Sequence, residues 1–257
     1  MNLHPSPAVL RLSVVSHDQT DWTRQFLTDL QAYEPGLEVV FTHNTNNPAP
    51  QWPSDWSIQS IHNTQPKGFA ANHNQALKGS RSLFVCVANP DIRLTASPFP
   101  ALLAAFDDPQ VGLVVPQVLS PNGTVEDSVR RFPTPWRVLR KLLGDQGRVV
   151  TDPQHPQTVP WAAGMFMVFR QEAFEAIGGF DEGFHLYYED VDICARLWAA
   201  GWKVVHQPNS QVVHHAQRAS RRQGRYFRWH LSSMLRFFIK HLGHIGRLEH
   251  LAKKNTV

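Results

Sequence analysis

Apolar positions along the chain alternate between short continuous runs and runs at helical spacing. Leu10 to Ser16 (LRLSVVS) is rich in β-branched residues and reads as a buried strand. Trp22, Phe26, Leu30 and Tyr33 then recur on one helical face, with Thr20 or Asp21 available as the cap. Pro35-Gly36 ends that helix, and Leu37 to Thr42 reads as a second strand, which makes a parallel βαβ unit. A short strand is expected near Ile58 to His62. A helix follows from Lys67-Gly68-Phe69 to about Gly79, with Ala70, Ala71, Asn74 and Leu77 inward. Ser82 to Ala88 is a further buried strand, Pro98 to Phe106 a helix opened by proline, and Val111 to Val115 another strand.

Beyond residue 116 the pattern is less regular. Thr124 to Phe132 reads as extended, Trp136 to Leu143 as a helix, and residues 144–158 as a long polar loop. Val159 to Phe169 reads as a strand interrupted at Gly164, and Gln171 to Ile177 as a short helix. Val191, Cys194, Ala195, Leu197 and Trp198 mark a helix that stops at Gly201. Trp202 to His206 and Gln211 to His214 read as two short strands. In the last segment Phe227, Leu231, Met234, Phe238, Leu242, Ile245 and Leu248 recur at helical spacing among arginines and lysines, as in an amphipathic basic helix or helix pair. Alternating strands and helices predict an α/β fold with a mostly parallel, doubly wound sheet, in which ligands bind beyond the carboxyl ends of the strands.

Charge separates the last segment from the rest. Residues 1–217 hold 15 Lys and Arg against 20 Asp and Glu, a net of −5. Residues 218–257 hold 10 against Glu249 alone, a net of +9, and the two make the chain's +4. The expected organisation is therefore a body, residues 1–217, followed by a basic amphipathic helical tail, residues 218–257. No apolar run approaches the roughly 20 residues of a membrane-crossing helix. No basic-then-apolar leader opens the sequence. Cys86 and Cys194 both lie in apolar runs, which fits a reducing cytoplasm better than a disulfide framework.

Candidate chemistry collects at strand ends. Ser16-His17-Asp18, His43-Asn44 and Asn89-Pro90-Asp91 all follow predicted strands, but no GxGxxG follows the first, which argues against a dinucleotide site. Asp91 is placed to hold a divalent cation against phosphate oxygens, and equally to close an Asx-type turn. His214 fits either a cation ligand or a satisfied histidine. Lys67 fits a contact to phosphate or base, or a solvated cation, because its loop lacks the P-loop ending. Glu189, Asp190 and Asp192 fall within four residues at a loop-to-helix junction, which suits either ordinary helix-start acidity or a positioned general base.

Taken in order, these motifs resemble the family 2 glycosyltransferases. The order is Ser-His-Asp, Gly-Phe-Ala-Ala-Asn-His-Asn, Asn-Pro-Asp, Trp-Ala-Ala-Gly-Met, Gly-Gly-Phe-Asp-Glu-Gly-Phe, Tyr-Glu-Asp-Val-Asp and a final histidine. The resemblance spans roughly residues 10 to 220. It is similar in particular to the rhamnosyltransferase-like bacterial members that build cell-surface polysaccharides such as lipopolysaccharide. It implies a GT-A fold, with residues of about 10–115 binding a nucleotide sugar and about 116–217 binding the acceptor. It also implies a metal-dependent, inverting transfer with Mg²⁺ or Mn²⁺ as cofactor. By motif position Asp190 is the catalytic base, with Glu189 beside it, and Asp91 and His214 are the metal ligands. The donor, a UDP- or dTDP-sugar, meets Ser16, His17, Asp18, Asn44, Lys67, Gly68, Asn74, Asn89 and Asp91. The glycan or lipid-linked acceptor meets Trp161, Gly164, Met165 and Tyr188. Two departures stand out: His43-Asn44-Thr45-Asn46 replaces the family's Asp-Asn-x-Ser, and Asn-Pro-Asp lacks one carboxylate of the DxD element.

The tail's mixture of aromatic and basic residues suits an anionic membrane surface, which places the protein in the cytoplasm, peripheral on the inner face of the membrane. With an acidic body and no recognised motif, nucleic acid is not an expected partner. The alternative reading is a non-catalytic sugar-nucleotide or glycan-binding protein on the same fold, which the lost second-strand Asp favours and the intact Glu-Asp pair opposes.

Overall fold

The structure is a computed structural model, and it describes residues 9–45, 56, 58–142, 149, 151–216, 224–241 and 243–254. The boundary expected at 217/218, the strand-end residue Asn46, most of the loop at 144–150, Leu143 and Leu242 fall outside these. The amino-terminal half contains β1 (Leu10–Ser16), α1 (Thr20–Tyr33), β2 (Glu38–His43), β3 (Ile58–His62), α2 (Phe69–Leu77), β4 (Phe84–Ala88), β5 (Ile92–Arg93), α3 (Phe99–Ala104) and β6 (Val111–Leu119). There follow β7 (Val129–Arg130), α4 (Pro135–Leu142), β8 (Gln157–Thr158), β9 (Trp161–Ala162), β10 (Phe166–Arg170), α5 (Gln171–Ala176), α6 (Glu189–Ala199), β11 (Lys203–His214), α7 (Gly224–His241) and α8 (Ile245–Lys254).

Among the described residues the main sheet runs β3-β2-β1-β4-β10-β6-β11-β5, with β8 paired to β11; β7 and β9 form a separate ribbon. The β3-β2-β1-β4 pairings and the β6-β11 pairing are parallel, while β10 runs antiparallel to both its neighbours. This mostly parallel sheet with helices on both faces is the α/β architecture expected. The reversed β10 has a direct consequence for the site. Its start, not its end, lies at the carboxyl edge of the parallel strands, with Phe166 opposite Ala88.

Strand periodicity sorts the core onto the two faces. Met167 and Phe169 of β10 join Val85, Val87, Leu113 and Val115 on the face covered by α2, α5, α6, α7 and α8. Phe166 and Val168 join Cys86, Ala88, Val114 and Val118 on the face covered by α1 and α3. Val191, Ile193, Cys194, Ala195, Leu197 and Trp198 of α6 are all buried, so this helix is enclosed on most sides and sits inside the domain. It ends at Gly201, whose φ of 88° permits the turn into β11.

Several local expectations are corrected. Helix α1 is capped by neither Thr20 nor Asp21; Gln19 precedes it without a side-chain cap bond, and Thr20 is its first residue. Tyr33 is exposed, and Asp29 is buried instead because it accepts from Arg93 and from the Leu94 N–H. In α2 the inward polar residues are Asn72 and His73, while Ala71 and Asn74 are half-buried. The two strands expected after Trp202 are one bulged strand, β11, whereas the interruption expected at Gly164 is present, between β9 and β10. In α7 the helical stripe turns over: Ser233, Phe237 and His241 are buried, and Phe227 and Leu231 face outward. Phe237, Ile245, Leu248 and Ala252 belong to the same core cluster as α6.

Candidate active site

The carboxyl edge of the sheet brings together the ends of β1, β2, β4 and β11 and the start of β10. Ser16 lies opposite His43 in the β1–β2 ladder, and His214 opposite Ile92 in the β11–β5 pair. Three asparagines build the floor at the β1–β2 side. Asn44 Oδ1 accepts the Lys67 N–H (2.8 Å) and Asn63 Nδ2 (2.9 Å), while Asn44 Nδ2 donates to Lys67 O (2.9 Å). Asn63 Nδ2 also donates to Asn72 Oδ1 (2.6 Å), and Asn72 Nδ2 to the carbonyls of Lys67 and Gly68 (3.1 and 3.0 Å). This network fixes the Lys67-Gly68-Phe69 turn, and it uses the Asn44 carboxamide internally. Ser16 Oγ is likewise engaged, by Thr23 Oγ1 and the Gln19 N–H. His17 and Asp18 are exposed at the rim, Asp18 with a left-handed φ of 63°. Lys67 Nζ donates to Gln75 Oε1 (2.6 Å).

Asn89 donates its N–H to Met165 O (2.9 Å), and Gly164 donates its N–H to Asp190 Oδ2 (3.1 Å). The dipeptide Gly164-Met165 thus joins the end of β4 to the start of α6. Asp190 Oδ1 accepts the Val191 N–H (2.8 Å). Burial pushes the Asp190 pKa up, and the Gly164 and Val191 N–H groups with the Arg130 charge act against that rise. Glu189 next to it is buried, and its Oε2 has no hydrogen-bond partner. Burial, then the Asp190 charge, raises the Glu189 pKa well above the usual carboxylate range. Two adjacent carboxylates in one low-dielectric place titrate as a pair, and the donors decide where the charge rests. The Gly164 and Val191 N–H donors favour the charge on Asp190, and the upward push is the stronger on Glu189. Burial followed by the Asp190 charge also pushes Tyr188 up to about 12, so its hydroxyl stays protonated at neutral pH.

Asp91 and His214 meet on the β5–β11 side. His214 Nε2 lies 3.5 Å from Asp91 Oδ1, and His214 Nδ1 lies 3.0 Å from Glu126 Oε2. The Glu126 carboxylate calls for the proton on Nδ1, which leaves the Nε2 lone pair facing Asp91. Two acceptors at that distance repel unless a cation or a proton lies between them. A carboxylate oxygen and an imidazole nitrogen, with a second carboxylate behind the ring, are the donor set of a divalent-cation site. Among the described residues no three His, Cys, Asp or Glu side chains form a complete metal cluster. Two side chains, Asp91 and His214, are available to a cation there, fewer than a site made by protein alone would need.

The other expected residues are placed as follows. Trp161 Nε1 donates to Arg131 O (2.8 Å), and the Arg130 guanidinium lies 5.6 Å above its ring, so the indole supports Arg130. Asn74 is turned toward the loop before α6, giving and accepting a hydrogen bond with the Phe180 backbone (2.9 Å each). A Cβ at Gly68 would sit 2.4 Å from His185 O, so glycine there lets the turn touch that same loop. Asp192, fully buried, bonds Arg196 and His241 and is part of the scaffold. Sequence reasoning missed Glu126, Arg130, Asn63 and Asn72. For Glu126 no signal was present, since 88 residues separate it from His214.

Comparison with known proteins gives a consistent picture. A family model described as glycosyl transferase family group 2 matches residues 90–246. An N-acetylglucosaminyl-diphospho-decaprenol L-rhamnosyltransferase of Mycobacterium tuberculosis is 35% identical over 148 residues, 51% of this chain and 47% of the relative. The chain thus spans about half the length of that relative. The rhamnosyltransferase WbbL of Escherichia coli (strain K12) is 24% identical over 241 residues, covering 88% of this chain and 91% of the relative. Among solved structures, GalNAc-T7 with UDP, GalNAc and Mn²⁺ superposes with a TM-score of 0.63 at 14% identity, over 82% of this chain and 44% of that one. The mannosyltransferase PcManGT from Pyrobaculum calidifontis, in complex with GDP-Man and Mn²⁺, gives 0.59 at 17% identity, over 90% and 65%. These structures share the GT-A-like fold with this chain.

Proposed function

The chain belongs to glycosyl transferase family group 2, and from that we propose that it moves a sugar, with inversion, from a nucleoside diphosphate donor to a hydroxyl of a glycan or lipid-linked acceptor. Asp190 is the general base. The observation that carries this reading is the placing of Asp190, held by two N–H donors, beside a buried Glu189 whose Oε2 has no hydrogen-bond partner. The acceptor hydroxyl gives its proton to the Asp190 carboxylate as its oxygen bonds to the anomeric carbon. The bond from that carbon to the diphosphate breaks on the opposite face, and its electron pair leaves with the nucleoside diphosphate. Asp91 and His214, the latter oriented by Glu126, are the residues that would hold Mg²⁺ or Mn²⁺. When bound there, the cation supplies positive charge against the charge developing on the leaving diphosphate. Gly164-Met165, between Asn89 and Asp190, sets the spacing between donor and base.

The donor is a UDP- or dTDP-sugar in this reading, and the acceptor follows the relative's named class, a sugar on a lipid diphosphate. No helix among the described residues is long and apolar enough to cross a membrane. The basic segment 218–257 meets such an acceptor at the cytoplasmic, anionic face of a bilayer.

The test is turnover and donor binding in Asp190→Asn. Nucleotide release across a panel of sugar nucleotides should fall roughly 100- to 10,000-fold, the usual contribution of a positioned base, with donor affinity nearly unchanged. Wild-type turnover in this variant would remove the assignment.

A further inference from the structure

Helix α7 lies outside the motifs that carry the candidate chemistry, yet its inner face follows the loop that delivers Asp190. That loop ends in Tyr187 and Tyr188, two consecutive non-glycine residues with left-handed φ values of 70° and 65°. Such a pair is strained, and it persists only where its surroundings over-determine it. Tyr188 is the residue at the start of α6, and its carbonyl accepts the Asp192 N–H (2.8 Å). A change of hand at either tyrosine would turn the first residues of α6 and draw Asp190 away from the Gly164 N–H.

The surroundings come from two sides. From the donor side, the Phe69 N–H donates to His185 O (3.2 Å) and Asn74 holds Phe180. From α7, Ser233 Oγ donates to Leu186 O (2.9 Å), the residue just before the strained pair. The His230 ring lies 5.4 Å from both Tyr187 and Tyr188, and Phe237 lies 5.6 Å from Tyr188. Arg236 bonds both oxygens of Asp181 (2.9 and 3.0 Å) at the other end of the loop. A Cβ at Gly183 would sit 2.2 Å from the Arg236 guanidinium, so the loop backbone is bare where that side chain crosses it. The contacts are thus concentrated on the loop and on its strained end.

We propose that α7 is a positioning element of the active site: His230, Ser233 and Phe237 hold the Tyr187–Tyr188 turn left-handed, and that turn aims Asp190. The proposal rests on Asp190 being the base, and extends it by giving residues of the basic segment a part in the reaction. A helix that only braced the core would lend stability everywhere; this one also places His230, Ser233 and Phe237 against the strained turn.

The test is a His230→Ala/Ser233→Ala double variant of the full chain, followed by amide hydrogen exchange and by turnover. The Gly164 and Asp192 amides should exchange roughly tenfold faster, the scale of a local opening, while the Val87 amide in β4 is unchanged. Turnover should fall about tenfold with the KM for the sugar nucleotide within about twofold, the mark of lost transition-state geometry. Adding Tyr187→Gly, which makes the left-handed turn intrinsically accessible, should restore much of both effects. The packing of Tyr187 on His230 is already gone in that background, so the glycine removes little else. Unchanged exchange at Gly164 and Asp192, faster exchange throughout the sheet, or no rescue by Tyr187→Gly would each overturn the proposal. If Asp190→Asn keeps full turnover, the base assignment fails, while the exchange and rescue measurements still decide whether α7 holds the turn.

Discussion

Glu126 illustrates how much a single side chain decides at the residue scale. Without its carboxylate on Nδ1, the His214 ring is free to take either tautomer and to rotate. With it, the ring is held with Nε2 toward Asp91. Replacing Glu126 by Ala should weaken Mn²⁺ binding by roughly 10- to 100-fold, the usual effect of removing an outer partner of a ligating histidine. Glu126→Gln should lose only a few-fold, because its amide oxygen still accepts the Nδ1 proton. Calorimetric titration of Mn²⁺ in the presence of UDP checks both, with Asp91→Ala as the reference for loss of a ligand. Equal affinity in wild type and Glu126→Ala would remove Glu126 from the site. The contrast with Asp190 shows which chemistry a sequence displays. Asp190 sits in a contiguous acidic motif at a helix start, so its place could be read directly. Glu126 meets His214 only through the sheet, and Asn63 and Asn72 act only through Asn44. Burial also separates Asp190 from Asp192, which look alike in sequence: one faces Gly164, and the other is enclosed by Arg196, Lys240 and His241.

At the scale of elements, α7 has two working faces. The sequence showed its apolar residues, but which of them point inward depends on a loop about 40 to 60 residues earlier in the chain. Phe227, Leu231, Leu235 and Ile239, spaced four apart, are between 49% and 76% exposed, too much for a face already covered by the protein. Exposed Arg228 lies on the same helix, and the segment from 218 carries a net +9. An apolar stripe accompanied by cations suits an anionic bilayer surface. Changing all four stripe residues to Ser should cut sedimentation with phosphatidylglycerol vesicles at least about tenfold, since each loses an apolar side chain worth up to roughly 1.5–3 kcal/mol when fully buried. Binding to phosphatidylcholine vesicles should be weak throughout. Equal sedimentation of variant and wild type would rule out the stripe as the contact. Point changes are the right tool, because truncation before α7 would also strip Phe237, Ile245, Leu248 and Ala252 from the core. The strand reversal at β10 was hidden in the same way. Its sequence, FMVFR, marks a buried strand but carries nothing about direction, which shows only where Asn89 and Met165 meet at the sheet edge.

At the scale of the whole molecule, both faces of the sheet are closed, and the histidines trapped there make stability depend on pH. Burial lowers His73, bonded to Ser13, to about 3, and lowers His206 to about 4. Burial, and then the charge of stacked His62, lowers His43 to about 4. In the unfolded chain each would titrate near ~6.5. Between that value and about 4, the unfolded state binds protons that the folded state refuses. Their contribution to stability is therefore full above ~6.5 and is lost as pH falls, at up to ~1.4 kcal/mol per pH unit for each histidine. Glu189 and Asp190 act with the opposite sign, because the folded pair takes up a proton before the unfolded carboxylates do. That pair therefore offsets part of what the three histidines lose as pH falls. Asp181, which burial alone would raise, is brought to about 2 by Lys240, the Gly183 N–H and Arg236; Asp192 is lowered too. These two lose their contribution only below the unfolded carboxylate range of about 4. Urea unfolding at pH 7, 6 and 5 should therefore show falling midpoints in a range where α7 is still held by its ion pairs. A His206→Asn variant should flatten that fall by about one histidine's share. A midpoint constant from pH 7 to 5 would mean that the buried rings are not kept neutral by the fold.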